Sequence, residues 1–346
     1  MQDQKSEFDV KQALSAAWIN PEEPITPPPT LLAFGGVPVA SLGNISLITG
    51  KAKSMKTFFT ALIMARLSGA QVPGIEVTLP DDCRPVFFDT EQARHHVQAY
   101  QQRVALLAGD CKAEVFALRP HSPRERIQII EAYLREHPAA KLVFIDGIRD
   151  LITDINSPDQ ATEISTWLLK LTGELNIHIV TVLHQNKGDG NARGHVGSEL
   201  VNKAETTITV TKDKSGRFSV VDPEYTRGRE FEPFAFEVDD EGLPRILEDW
   251  EPEGAEIKPS SAPASFSEVW HRDALQHAFR IEEQPRYSEL AEALKVAFQH
   301  EGHNFGITRI RNFITYYKDN GFIKLKGKER SKDAFYQYVP YETVDF

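Results

Sequence analysis

Between about Leu31 and Trp250 the chain alternates short apolar runs with stretches of helical periodicity. The runs Ile45–Thr49, Val86–Asp89, Val115–Leu118, Leu142–Asp146 and Ile179–Leu183 are rich in Val, Ile, Leu and Phe, with little polar alternation. Strands of that kind are covered on both faces. Between them, helical spacing runs over Lys56–Leu67, Gln92–Leu107, Arg124–Glu136 and Thr162–Leu175. The pattern predicts an α/β domain, a mostly parallel sheet with crossover helices on both faces. After Lys203 the runs become short and alternating, at Thr206–Val210, Phe218–Val221 and Phe234–Val238. These predict an antiparallel extension of the same sheet.

The flanks differ. Residues 1–30 are polar and then proline-rich (Pro21, Pro24, Pro27, Pro28, Pro29). Consecutive prolines cannot continue a helix, so a flexible, loosely tethered arm is expected. The stretch Glu251–Ser265 lacks apolar periodicity and is rich in Pro, Ser and Ala, which reads as a linker. Residues 266–346 read as three helices followed by two short strands. The expected division is therefore an arm over 1–30, an α/β domain over 31–250, a linker over 251–265 and a small module over 266–346.

Composition narrows the picture. A hydrophobic content of 41% over 346 residues is enough to bury a core, so global disorder is not expected. The apolar runs are too short to cross a bilayer, and the first residues lack the basic and apolar regions of a secretory signal. Cys83 and Cys111 are the only cysteines, too few for a disulfide framework or a multi-cysteine zinc site. A reducing cytoplasm is the expected compartment. The net charge of −11 argues against a nonspecific polycation and leaves local basic surfaces open.

The strongest motif begins at the end of the Ile45–Thr49 strand. Gly50, Lys56 and Thr57 match the phosphate-loop pattern G-x-x-x-x-G-K-[ST], with Met55 where the second glycine belongs. The chemistry needs backbone N–H groups of a tight turn and a helix N-terminus aimed at phosphate oxygens. Gly50, Lys51, Ala52, Lys53, Ser54, Met55, Lys56, Thr57 and Phe58 form the candidate nucleotide-binding set, with ATP as ligand. Lys56 would neutralise the terminal phosphates and the Thr57 hydroxyl would ligate Mg²⁺. If position 55 requires a positive φ, methionine is strained there; if it is already helical, the change costs little.

Three further segments carry candidate chemistry. Glu91, just after the Val86–Asp89 strand, is a candidate general base for water attacking the γ-phosphate, although an acid at a helix start is also favoured by the dipole. Asp146 ends the Leu142–Asp146 strand as a Walker B acid would, and is the second candidate Mg²⁺ ligand. His184 and Gln185 end the next strand, at the edge where ligands of open α/β sheets bind; either could sense γ-phosphate or simply bond the strand end. The Gly188–Gly194 stretch reads as a mobile loop over nucleotide or nucleic acid, or as a plain surface loop.

In this order the four segments resemble the RecA-like ATPase core over roughly residues 31–240. The resemblance is nearest to hexameric plasmid replicative helicases of the RepA type and more distant to the DnaB-type helicase core. It implies Glu91 as catalytic base, Asp146 as Walker B acid, and His184 and Gln185 as the polar pair of the following strand. The stretch Asn191–Leu200, with Arg193, resembles the loop and short helix that approach DNA in the central channel. Arg227 and Arg229 stand where helicases carry a Lys-x-Arg finger reaching a neighbouring subunit's ATP, here as Arg-x-Arg. Met55 and the lack of a clear second DNA-loop motif are the departures. The resemblance further implies a homo-oligomer, ring or filament, acting with replication or mobilisation proteins of a plasmid or mobile element.

The C-terminal module resembles a winged helix-turn-helix in shape. Arg309, Arg311, Lys324, Lys326, Lys328 and Arg330 cluster there on an otherwise acidic chain, which points to DNA phosphates. A protein-binding winged helix with a solvated basic wing is the other reading. The expected function is thus an ATP- and Mg²⁺-dependent, helicase-like motor on DNA. Its rivals are a non-hydrolysing ATP-bound regulator or assembly factor and, less favoured, a metabolic P-loop kinase.

Overall fold

The computed structural model describes residues 9–80, 83–185, 192–248, 250, 252, 263, 266–301, 303, 305–327 and 334–340. The first described element is helix α1 (Val10–Ala17), capped by the Asp9 side chain on the amides of Lys11 and Gln12. It stands inside the stretch read as an irregular arm. Strands β1 (Thr30–Phe34) and β2 (Val37–Ser41) follow, then β3 (Ile45–Gly50), α2 (Lys56–Leu67), β4 (Ile75–Val77) and β5 (Val86–Asp89). Next come α3 (Arg94–Ala108), β6 (Glu114–Ala117), α4 (Pro123–Glu136), β7 (Leu142–Asp146), α5 (Pro158–Leu175) and β8 (His178–His184). The domain closes with α6 (Gly194–Lys203), β9 (Thr206–Lys212), β10 (Phe218–Thr226), β11 (Phe234–Val238) and β12 (Pro244–Ile246).

Among the described residues nine strands make the central sheet in the order β12-β11-β10-β9-β3-β8-β7-β5-β6, while β2-β1-β4 form a small antiparallel sheet. The six strands from β9 to β6 are parallel. The expected antiparallel extension therefore begins one strand later: β9 runs parallel to β3, with Leu47 opposite Thr207. The reason is α6, which supplies the crossover that a parallel return from β8 requires. Two apolar layers cover the sheet. One packs α2 and α3 against it through Phe59, Ile63, Tyr100 and Val104; the other packs α4, α5 and α6 through Ile130, Leu168 and Leu200.

The C-terminal unit consists of α7 (Glu268–Ile281), α8 (Tyr287–His300), α9 (Ile307–Asp319) and a hairpin of β13 (Ile323–Lys326) with β14 (Phe335–Tyr338). It has its own core, centred on Leu294, Phe298, Phe313 and Tyr317. It rests on the α/β domain through the start of α9. Gly306 packs on Glu232, where a Cβ would come within 2.7 Å of the Glu232 side chain. Ile307 and Arg311 share a small cavity with Gly35, Gly74, Phe234 and Ile246. Lys295 of α8 pairs with Glu76 at 3.3 Å.

Arg311 is the expectation that this arrangement overturns. It is only 4% exposed and donates to the Leu247 carbonyl at 3.5 Å, so it faces the α/β domain and is not a DNA contact. Helical spacing carries it to the apolar side of α9, next to the buried Ile310 and Ile314. Lys324 and Lys326 are exposed on β13, and Arg309 lies over the Phe305 ring at 5.2 Å. Lys328 and Arg330 fall outside the described residues, as do residues 186–191 and most of the expected linker.

Candidate nucleotide-binding site

All six residues of β3 are buried, and the strand delivers Gly50 to the C-terminal edge of the sheet. A Cβ at Gly50 would meet the Val210 carbonyl at 2.4 Å and Ser54 Oγ at 2.5 Å, so only glycine fits. The loop then turns through two left-handed residues, Lys53 (φ 66°) and Met55 (φ 67°, ψ 23°). Methionine thus adopts the backbone that the motif's second glycine would supply, at a cost of roughly 1–2 kcal/mol. Its half-buried side chain packs against the α2 layer and offsets part of that cost.

Among the described residues no side chain caps α2, so its first amides stay open to an anion at the positive end of the helix. The Ser54 hydroxyl is buried inside the loop without a hydrogen-bond partner among the described residues. Lys56 is 6% exposed; its Nζ donates to the carbonyls of Gly50 (2.8 Å) and Lys51 (3.0 Å) and lies 3.1 Å from His184 Nδ1. Burial pulls its pKa down to about 8, although Asp146 and Glu91 favour the charged form.

Two parallel strands bring the carboxylates. β5 and β7 pair in register so that Asp89 stands opposite Asp146. Burial, with Asp89 alongside, pushes the Asp146 carboxyl up to about 7. Its Oδ2 lies 3.4 Å from Thr57 Oγ1. Asp89 plays a different part. It accepts the amides of Glu91 (3.0 Å) and Gln92 (2.6 Å) and the Gln92 side chain (2.8 Å), shaping the turn that presents Glu91. Glu91 reaches into the cleft 3.7 Å from His184 Nε2, and that imidazole holds the carboxylate below its usual range.

A cleft of about 460 Å³ joins Lys53–Phe58 to Asp89, Glu91, Gln92, Asp146 and His184. Lys56 and Thr57 at the start of α2 are therefore brought together with Glu91 just after β5, Asp146 at the end of β7 and His184 at the end of β8. Gln185 is not among them: its Nε2 donates to Thr49 Oγ1 at 3.2 Å. Successive strand residues face opposite ways, so the polar pair divides between the cleft and the sheet. Lys51 and Ala52 are exposed, and Phe58 carries the Arg103 guanidinium 4.2 Å above its ring. Arg193 is exposed at the start of α6; Arg227 and Arg229 are exposed beyond β10, with Arg227 donating to the Lys203 carbonyl at 2.9 Å. None of these three arginines lines the cleft.

A residue without a sequence motif also matters. The buried Thr90 hydroxyl lies 3.0 and 2.9 Å from the carbonyls of Asp146 and Gly147 and ties the ends of β5 and β7 together. Gly147 (φ 102°) permits this, because a Cβ there would fall 2.3 Å from Thr90 Oγ1. The glycine directly after the strand-ending aspartate was the only available signal.

A family model described as an AAA domain matches residues 6–190, more than half of the chain. The chain belongs to this family of P-loop ATPases. No curated protein matches it. The matched span holds the phosphate loop, Glu91, Asp146, His184 and Gln185, and it stops before Arg227, Arg229 and the C-terminal unit. Membership implies use of a nucleotide and Mg²⁺ in general terms, and the residues present suit both. Thr57 and Asp146 offer the oxygen donors that a hard cation takes, and a half-buried carboxyl raised to about 7 is relieved by a cation. The partnerless Ser54 hydroxyl and uncapped α2 suit phosphate. No helix among the described residues is long and apolar enough to cross a membrane.

Proposed function

We propose that the protein is a RecA-like ATPase that couples ATP hydrolysis to DNA, in replication or mobilisation of a plasmid or other mobile element. The convergence of Lys56, Thr57, Asp146, Glu91 and His184 on one cleft carries this reading. Lys56 exchanges the Gly50 and Lys51 carbonyls for phosphate oxygens and, so paired, stays charged above pH 8. Glu91, kept ionised by His184, accepts the proton of the attacking water, and His184 orients the γ-phosphate end. Mg²⁺, held by Thr57 and Asp146, would neutralise charge building up on the phosphate oxygens. Arg227 and Arg229, outside their own chain's cleft, serve a neighbouring subunit's nucleotide in a ring or filament. The C-terminal unit acts as a winged helix that meets DNA phosphates through Arg309, Lys324 and Lys326, with Lys328 and Arg330 completing the basic stretch; Arg193 contributes from the α/β domain.

Phosphate release, measured with and without single-stranded DNA, tests the reading in the wild type, Glu91→Gln and Lys56→Ala. DNA-stimulated turnover lost in both variants, with Mg-ATP binding retained in Glu91→Gln, is the expected result. Binding without turnover in the wild type would replace the motor by an ATP-held regulator.

A further inference from the structure

Gln185, drawn away from the cleft, begins a row of hydrogen bonds that runs from the residue after β8 across β3, β9 and β10. Its Nε2 donates to Thr49 Oγ1 at 3.2 Å. Thr49 Oγ1 lies 2.9 Å from Glu224 Oε2, and Thr209 Oγ1 donates to the same oxygen at 2.5 Å. Thr49 Oγ1 also lies 2.9 Å from Thr209 Oγ1, so its single hydroxyl proton reaches Glu224 directly or by way of Thr209; in both arrangements the carboxylate accepts and Thr49 accepts from the Gln185 amide. Thr49 is fully buried, between the ends of the row.

The row has a local cause. Register slips between Pro223 and Tyr225, leaving Glu224 out of the β9–β10 pairing. Such a bulge re-aims a side chain, here inward over β9 to β3. Proline is tolerated because β11 pairs with β10 only over Phe218–Val221, so Pro223 has a free edge beside it. One end of the row is thus covalently next to His184, which touches Lys56 and Glu91; the other lies just before the Thr226–Arg229 turn.

We infer that Glu224 is a positioning residue: through Thr49 and Gln185 it lets the nucleotide cleft set the conformation of the turn that carries Arg227 and Arg229. This rests on the cleft being a nucleotide site, as proposed above. Buried hydrogen-bond rows in low dielectric are either satisfied throughout or costly, so a shift at the β8 end must be answered at β10.

Hydrogen exchange with and without a slowly hydrolysed ATP analogue plus Mg²⁺ tests it on the full chain. In the wild type the analogue should slow exchange in the Gly50–Phe58 loop and, by about tenfold, in residues 224–230. In Thr49→Val and Glu224→Ala the loop should still be protected while the response at 224–230 disappears. Thr49→Ser and Glu224→Gln, which keep the donor and the acceptor, should restore it. The readout is the nucleotide-dependent difference, so a merely loosened strand does not mimic the result. An undiminished response in Thr49→Val and Glu224→Ala overturns the inference with the nucleotide reading intact. A wild-type loop that gains no protection overturns the nucleotide reading first, and the inference with it.

Discussion

Replacing Asp146 with Asn should make the ligand-free protein more stable. The carboxyl is displaced from 3.8 to about 7, with burial the leading cause and Asp89 the second. At about 1.4 kcal/mol per pH unit, keeping it ionised in the fold costs up to roughly 4 kcal/mol at pH 8. The attraction of Lys56 for the ionised form is already contained in that displacement, so the neutral amide should gain most of it, about 4 kcal/mol at pH 8. The sign follows from proton binding. Between pH 3.8 and about 7 the folded protein holds the proton that the unfolded chain has lost, so wild-type stability falls as pH rises through that window. The neutral amide is free of this loss. Urea unfolding in EDTA, at pH 8 and pH 5, should therefore show Asp146→Asn with an advantage that shrinks by about 2–3 kcal/mol at the lower pH. Mg-dependent nucleotide binding should fall in the same variant, separating stability from function. An Asn variant no more stable than wild type at pH 8, or an advantage indifferent to pH, would refute the electrostatic account.

Gly147→Ala should cost about 2–4 kcal/mol in urea unfolding, because its Cβ would fall 2.3 Å from Thr90 Oγ1 in a left-handed backbone; an unchanged midpoint would contradict the packing. Lys295→Glu and Glu76→Lys should each loosen the seat of the C-terminal unit by up to about 1 kcal/mol, and the double reversal should restore it. Small-angle scattering or proteolysis between the units reads this; failure of the double variant to recover would deny the pairing. Arg311→Ala should destabilise the protein while leaving the salt dependence of DNA binding unchanged, whereas Lys324→Ala with Lys326→Ala should lower the salt slope by about two. The reverse ordering would return Arg311 to the DNA surface.

Much of the domain was legible because its strands are buried on both faces and bounded by turn residues. Lys56–Leu67 is the α2 span that spacing predicts, and β7 ends at Asp146 as expected. The direction of β9 was not legible, since alternation in Thr206–Val210 reports one polar face and not which neighbour the strand meets. The sequence also left the fork at Met55 open, because dihedral angles depend on what surrounds a residue. Strand parity could have separated His184 from Gln185, as neighbours in a strand point to opposite sides. Nothing local could have found the burial of Arg311 or the reach of Glu224 to Thr49. Both depend on residues far apart along the chain, Leu247 for the first and Thr49 for the second.

The left-handed methionine bears on how such loops are recognised and altered. What the turn demands is a dihedral angle, and glycine is only its least costly supplier. A chain that anchors the strained residue by its thioether can drift away from the familiar letters while preserving the curvature that a polyphosphate grips. Glycine placed at position 55 would relieve the dihedral cost and give up the packing, trading an anchored loop for a looser one.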